Sequence, residues 1–202
     1  EIRVRPLNFA EYYAKVGGDK QEALENYYLY GGLPAVVQLE RPEDKQNYLK
    51  EVFETVYLKD VLQRNHLRNA DGMSELIRIL ASSMGSSINV QRISNTFKSV
   101  SKVDIGANTI SRYLEHLQDS FIISEALRYD IKGRKYIGTE TKYYFEDIGI
   151  RNAVKNWYGK LHTIKGHSQT RLVPAYIACK TALNWVVKIK AEIVLICLAE
   201  VR

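Results

Sequence analysis

The sequence has 202 residues, 46% hydrophobic and 26% charged, a globular composition sufficient for one sizeable core or two to three small modules. Its longest apolar stretch, Ile193 to Ala199, falls far short of the ~20 residues that cross a bilayer, which excludes a membrane-spanning helix. The net charge is +6, but Gly159 to Arg202 holds seven Lys/Arg and two Asp/Glu, so the first 158 residues are almost neutral and any attraction of the main body to nucleic acid has to be local.

Ile2 and Val4 alternate with Glu1, Arg3 and Arg5 as in a short half-buried strand. This start has no apolar signal-peptide core and no initiator Met, so the sequence is expected to begin inside a longer gene product. Asn8-Phe9-Ala10-Glu11 reads as a capping box opening a short helix, which Gly17-Gly18 ends. Asp19-Lys20-Gln21-Glu22 opens a second helix through Tyr27, Tyr28, Leu29 and Tyr30, stopped by Gly31-Gly32. Pro34 begins another turn through Val37. Pro42, at a favoured first helical position, opens the longest helix, to about Asn65. Leu49, Val52, Phe53, Val56, Leu58 and Val61 give it an apolar stripe, and Lys45, Lys50, Glu51, Lys59 and Arg64 a charged remainder.

Asn69 to Gly72 reads as a loop and module boundary. Three helices are expected next: Ser74 to Met84 with Leu76, Ile77, Leu80 and Met84 inward; Asn89 to Ser99 with Val90, Ile93 and Phe97 inward; and Ala107 to Gln118 with Ile110, Leu114 and Leu117 inward. Phe121 to Tyr129 is a strand, Lys132-Gly133-Arg134-Lys135 a turn, and Lys142 to Phe145 a second strand. Three helices followed by a two-stranded ribbon is the order of a winged helix-turn-helix. The expected fold is therefore mainly α with a small β component: a helical lid-like segment over 1–68, a winged helix over 69–158 and an irregular tail over 159–202. The tail carries both cysteines, Cys179 and Cys197, in no zinc-binding spacing. Such cysteine use fits a reducing, cytoplasmic setting.

Six short motifs carry a resemblance. They are Arg5-Pro6-Leu7-Asn8-Phe9-Ala10-Glu11-Tyr12-Tyr13, Tyr30-Gly31-Gly32-Leu33-Pro34, Tyr57-Leu58-Lys59-Asp60, Thr109-Ile110-Ser111-Arg112-Tyr113-Leu114, Tyr129-Asp130-Ile131-Lys132-Gly133, and Lys142-Tyr143-Tyr144-Phe145-Glu146-Asp147-Ile148-Gly149-Ile150-Arg151. In order and spacing they resemble a large prokaryotic family of AAA-type ATPases with an N-terminal P-loop module, a helical lid, a winged helix and a C-terminal domain of unknown function resembling restriction-type nucleases. The resemblance extends to about Trp157. It implies an ATPase core upstream of Arg5, and ATP and Mg binding by an intact relative. It also implies a His-x-x-Glu-Asn-like helix and a later acidic motif in the tail. Both are absent: His162 is followed by Thr163, Ile164 and Lys165, as a degenerate or frameshifted tail would give.

ATP hydrolysis needs a Gly-x-x-x-x-Gly-Lys-Ser/Thr loop, and no such segment occurs in this sequence. No cofactor is expected in the chain itself. Tyr30, Gly31, Gly32 and Pro34, with Lys59, Asp60 and Arg64, are the candidates for an interface that transmits nucleotide state from the upstream core. Helix termination by the glycines and a solvated helix face for the charges are the structural alternatives. Asn108, Thr109 and Arg112 on the third helix of the triplet have the chemistry for base edges or phosphates, and Lys132, Arg134 and Lys135 at the turn for phosphate. Asp104, Glu115, Asp119 and Asp130 oppose them. Glu192 and Glu200, with Lys188 and Lys190 nearby, are the tail's sparse material for a metal-dependent nuclease. His66, His116, His162 and His167 form no ligand pattern. Fourteen tyrosines, several bunched, are expected to be partly uncovered where an ATPase core is missing, and so to promote self-association.

The favoured reading is a non-catalytic remnant of an AAA-type ATPase acting as a coupling and interaction module. A winged-helix DNA-binding protein and a metal-dependent nuclease are the alternatives.

Overall fold

Capping chemistry sets the first helices. In a computed structural model describing residues 4–65, 70–101, 105–130 and 135–158, Asn8 and Glu11 form the reciprocal capping box of α1 (Phe9–Val16). Asp19 caps α2 (Lys20–Tyr30) by accepting from the Glu22 amide. Gly17 and Gly31 follow these helices as expected, each amide donating to the carbonyl four residues back. α3 (Pro34–Val37) and α4 (Pro42–Glu51) both open on proline. Ile2 lies outside the described residues, and Val4 is in no strand but 87% exposed.

The long helix expected from Pro42 is present as a continuous helical run but not as a uniform α-helix. Val52–Leu58 is π-helical, joining α4 to α5 (Lys59–Arg64). The reason lies in its stripe. Leu49 and Val61 are both fully buried, yet an α-helix would place residues twelve apart ~120° from each other. Hydrogen bonds that reach one residue further turn the chain less per residue, and seven such residues bring both side chains to the same core.

The expected loop at 69–72 is also corrected. α6 (Ala70–Ser82) already includes Asp71, Gly72 and Met73, so the helix starts about a turn earlier than Ser74, and its buried face begins with Gly72 and Met73. Asn69 lies outside the described residues. After α6 comes a two-residue strand, β1 (Ser87–Ile88), which is too short to show alternation. Asn89 caps α7 (Val90–Thr96), which runs into a second π-helical segment, Phe97–Ser101. α8 (Ala107–Asp119) is followed by β2 (Ile123–Asp130) and β3 (Lys135–Phe145). β3 begins seven residues earlier than expected. It pairs antiparallel with both β2 and β1, giving the order β1-β3-β2, with a register shift between Leu127 and Arg128. A last helix, α9 (Ile148–Lys155), was not anticipated from the sequence.

The fold is thus mainly α with one small sheet, as expected. The buried side chains form one continuous cluster from Tyr12 to Ile150, drawing on both sides of residue 69. That position separates kinds of element rather than cores. Among the described residues no helix is long and apolar enough to cross a membrane. Residues 159–202, with both cysteines, Glu192, Glu200 and the apolar run from Ile193, lie outside the described residues.

Candidate functional site

α9 is short, but its N-cap and four of its own residues reach other elements. Asp147, its N-cap, is buried and accepts from the Ile150 amide through Oδ1 at 3.1 Å and from the Gly32 amide through Oδ2 at 2.8 Å. A carboxylate at a helix N-terminus is favoured by the exposed amides and the helix dipole. Here it also fixes a loop 115 residues away. Gly149 lies so close to the Tyr30 carbonyl that any Cβ would overlap it. Gly31 takes φ +77°, and a Cβ there would meet the Asp147 carboxylate, so the residue is glycine for both conformation and space. The two most distinctive motifs of the sequence, Tyr30 to Pro34 and Glu146 to Arg151, therefore mesh with each other.

The next two residues of α9 extend the junction in opposite directions. A helix leaves its last four carbonyls without intrahelical partners. Asn152 donates through Nδ2 to the Tyr28 and Leu29 carbonyls, in the last turn of α2, at 2.8 and 3.0 Å. Arg151 donates through Nε to the Ala81 carbonyl at 2.9 Å, one of the free acceptors at the end of α6. Arg151 Nη1 also donates to Asn152 Oδ1 at 3.0 Å. Burial lowers the Arg151 pKa from its ordinary value, and the guanidinium sits where a helix C-terminus favours a cation. One turn further, Lys155 donates to the Ser82 hydroxyl at 2.8 Å. α9 thereby caps one helix from each segment and joins the two caps side chain to side chain.

Around this junction, Leu7 donates its amide to the Gly32 carbonyl at 2.8 Å, and its own carbonyl accepts from the Tyr27 hydroxyl at 2.9 Å. The Tyr27 ring meets Phe9 and Tyr12 edge-on. Burial first, and then the Asp147 charge, raise the pKa of the Tyr27 and Tyr57 phenols. Tyr158, stacked on Tyr30 at 6.1 Å, is pushed up to about 12 by burial and then by Tyr30. An open cleft of about 270 Å³ borders the junction, lined among others by Pro34, Tyr57, Phe121, Glu146 and Asp147. Glu146 is buried and accepts the Ser124 hydroxyl. Phe121 is exposed at a φ of +53°.

Of the interface candidates, Tyr30, Gly31, Gly32 and Pro34 come together here. Lys59, Asp60 and Arg64 do not join them. Lys59 is exposed, and Asp60 pairs with Arg64 at 2.8 Å in an exposed i,i+4 bridge, worth ~0.3–0.5 kcal/mol. The tyrosines expected on open surface are mostly packed: Tyr12, Tyr27, Tyr28, Tyr30, Tyr113 and Tyr144 are buried, and the exposed large hydrophobics among the described residues are Val4, Val16 and Phe121. Asn108 and Arg112 are exposed on α8 and Thr109 is half-buried. Lys132 and Arg134 lie outside the described residues, and Lys135 is described only as backbone, paired with Asp130. Among the described residues no group of three or more His, Cys, Asp or Glu is placed to hold a metal ion.

Sequence reasoning missed Arg151 and Asn152 as functional positions. The helix start was signalled by Asp147, an N-cap residue three positions before Ile150, but an Arg-Asn pair ordinarily faces solvent, and nothing local marked this one as buried.

A model of the family described as Domain of unknown function (DUF8612) matches residues 21–160. An uncharacterized protein of Haemophilus influenzae is 34% identical over 156 residues, covering 75% of this chain and 38% of the relative. An uncharacterized protein of Methanocaldococcus jannaschii is 26% identical over 137 residues, covering 61% of this chain and 30% of the relative. The chain thus spans about a third of the length of these relatives. No solved structure matches it.

Proposed function

We propose a role for this chain, which belongs to the DUF8612 family. It acts as a non-catalytic coupling module of a longer AAA-type ATPase, relaying movement between an ATP-binding core and the helix-and-sheet module over 70–158. One observation carries this reading: α9 caps α2 with Asn152 and α6 with Arg151, so a displacement of one segment cannot leave the other in place without exposing buried carbonyls. The motif resemblance from Arg5 to Arg151 supports it. So do relatives more than twice as long as the matched region, which leaves room for a catalytic core. The lack of a phosphate-gripping Gly-Lys loop in this sequence supports the non-catalytic part.

The experiment compares nucleotide turnover by the purified 202-residue chain with that of the full-length Haemophilus influenzae relative. The relative is expected to hydrolyse ATP with Mg and this chain to neither bind nor hydrolyse it. A relative with no ATP turnover, or a chain with its own, overturns the role.

A further inference from the structure

We propose that the outward side of the α7–α8 helix pair binds duplex DNA. This stands independently of the coupling role, since it uses no residue of the α9 junction.

The two helices pack on each other, and their inward sides are fully committed. Ile93 and Phe97 enter the core, and the buried Ser94 hydroxyl donates to the Ile105 carbonyl at 2.8 Å, which ties α7 to the approach of α8. Ile110, Tyr113, Leu114 and Leu117 hold α8 in the same core. The outward positions are Gln91, Arg92, Asn95 and Thr96 on the first helix, Lys98 on the π-helical segment that continues it, and Asn108 and Arg112 on the second, all exposed. Every charged residue described between Val90 and Tyr113 is a cation; Lys102 and Asp104 lie outside the described residues. Neither Arg92 nor Arg112 forms an ion pair among the described residues.

The chemistry suits a nucleic acid better than a protein. Guanidinium groups grip phosphates or guanine edges, and amides pair with adenine edges. A protein partner would want an apolar centre, and among the described residues none of the exposed large hydrophobics lies on this pair. The element order α6, β1, α7, α8, β2, β3, with β3 between β1 and β2, supports a winged helix-turn-helix, in which the second helix of the pair enters the major groove N-terminal end first. The charge gradient of α8 has that polarity. Arg112 lies in its first half, and the exposed Glu115 and Asp119 lie in its second.

The test is fluorescence anisotropy of a mixed-sequence 24-bp duplex with the full chain, from 50 to 200 mM NaCl. Each phosphate contact adds ~0.9 to the slope of log affinity against log salt. Arg92→Gln/Arg112→Gln is therefore expected to weaken binding at 50 mM and to lose about tenfold less affinity across this range than the wild type. Arg92→Lys/Arg112→Lys should keep the wild-type slope. Glu115→Gln/Asp119→Asn should tighten binding. Absence of duplex binding at 50 mM overturns the proposal. So does an unchanged slope in the glutamine variant, which would assign binding to the basic tail. Tighter binding of a 24-nucleotide single-stranded RNA overturns it as well. Should the glutamine variant fail to fold, the lysine and Glu115/Asp119 variants decide, and failure of either to behave as stated is fatal.

Discussion

The polar contacts of α9 are exacting because they are buried. Asn152 serves two carbonyls with one amide, and a buried acceptor left without a donor costs about 1–3 kcal/mol. Asn152→Ala is expected to destabilise the chain by about that amount. Gly149→Ala, which forces a methyl against the Tyr30 backbone, should cost a similar ~1–3 kcal/mol. Urea denaturation at constant m-value measures both; midpoints equal to that of the wild type would show that the junction gives way freely. None of these partnerships was legible in the sequence. Asp147 and Gly32 are 115 positions apart, and a single side-chain-to-backbone bond leaves no periodic trace. What the sequence did carry was the glycines, since a helix stop at Gly31 can be read locally, while its closeness to Asp147 cannot.

Single elements were read well where burial follows a simple period. The capping box of α1, the proline starts and the inward faces of α6, α7 and α8 were all visible as local chemistry or apolar spacing. The π-helical register was not, because a stripe that drifts by one residue still looks helical. α9 escaped because its buried Arg151 and Asn152 make it look polar where it is most enclosed. The end of α8 shows a different kind of conflict. The Phe121 amide donates to the Gln118 carbonyl and the Ile122 amide to the Leu117 carbonyl, a helix-terminating motif whose left-handed position normally takes glycine. The same motif ends α9 with Asn156, which tolerates that conformation. A bulky residue there costs ~1–2 kcal/mol of backbone strain. Phe121→Gly is therefore expected to raise the thermal midpoint, by an amount corresponding to about 1 kcal/mol. A fall in the midpoint would show that the half-exposed ring, at the edge of the cleft, contributes more packing than its backbone loses.

At the scale of the whole molecule, one buried cluster passes through every large element from α1 to α9, and α9 touches α2, α4, α6 and β3. The helical first segment and the helix-and-sheet segment after it share this one cluster rather than holding separate cores. A relay works only if its two ends respond together, so the coupling role requires the segments to open as one cooperative unit. Native-state hydrogen exchange tests this most directly. The amides of Tyr27 in α2, Leu80 in α6 and Leu117 in α8 are predicted to share one opening free energy, and Asn152→Ala is predicted to lower all three equally. Retained protection at Leu80 and Leu117 while Tyr27 exchanges freely, in the wild type or the variant, would contradict the relay.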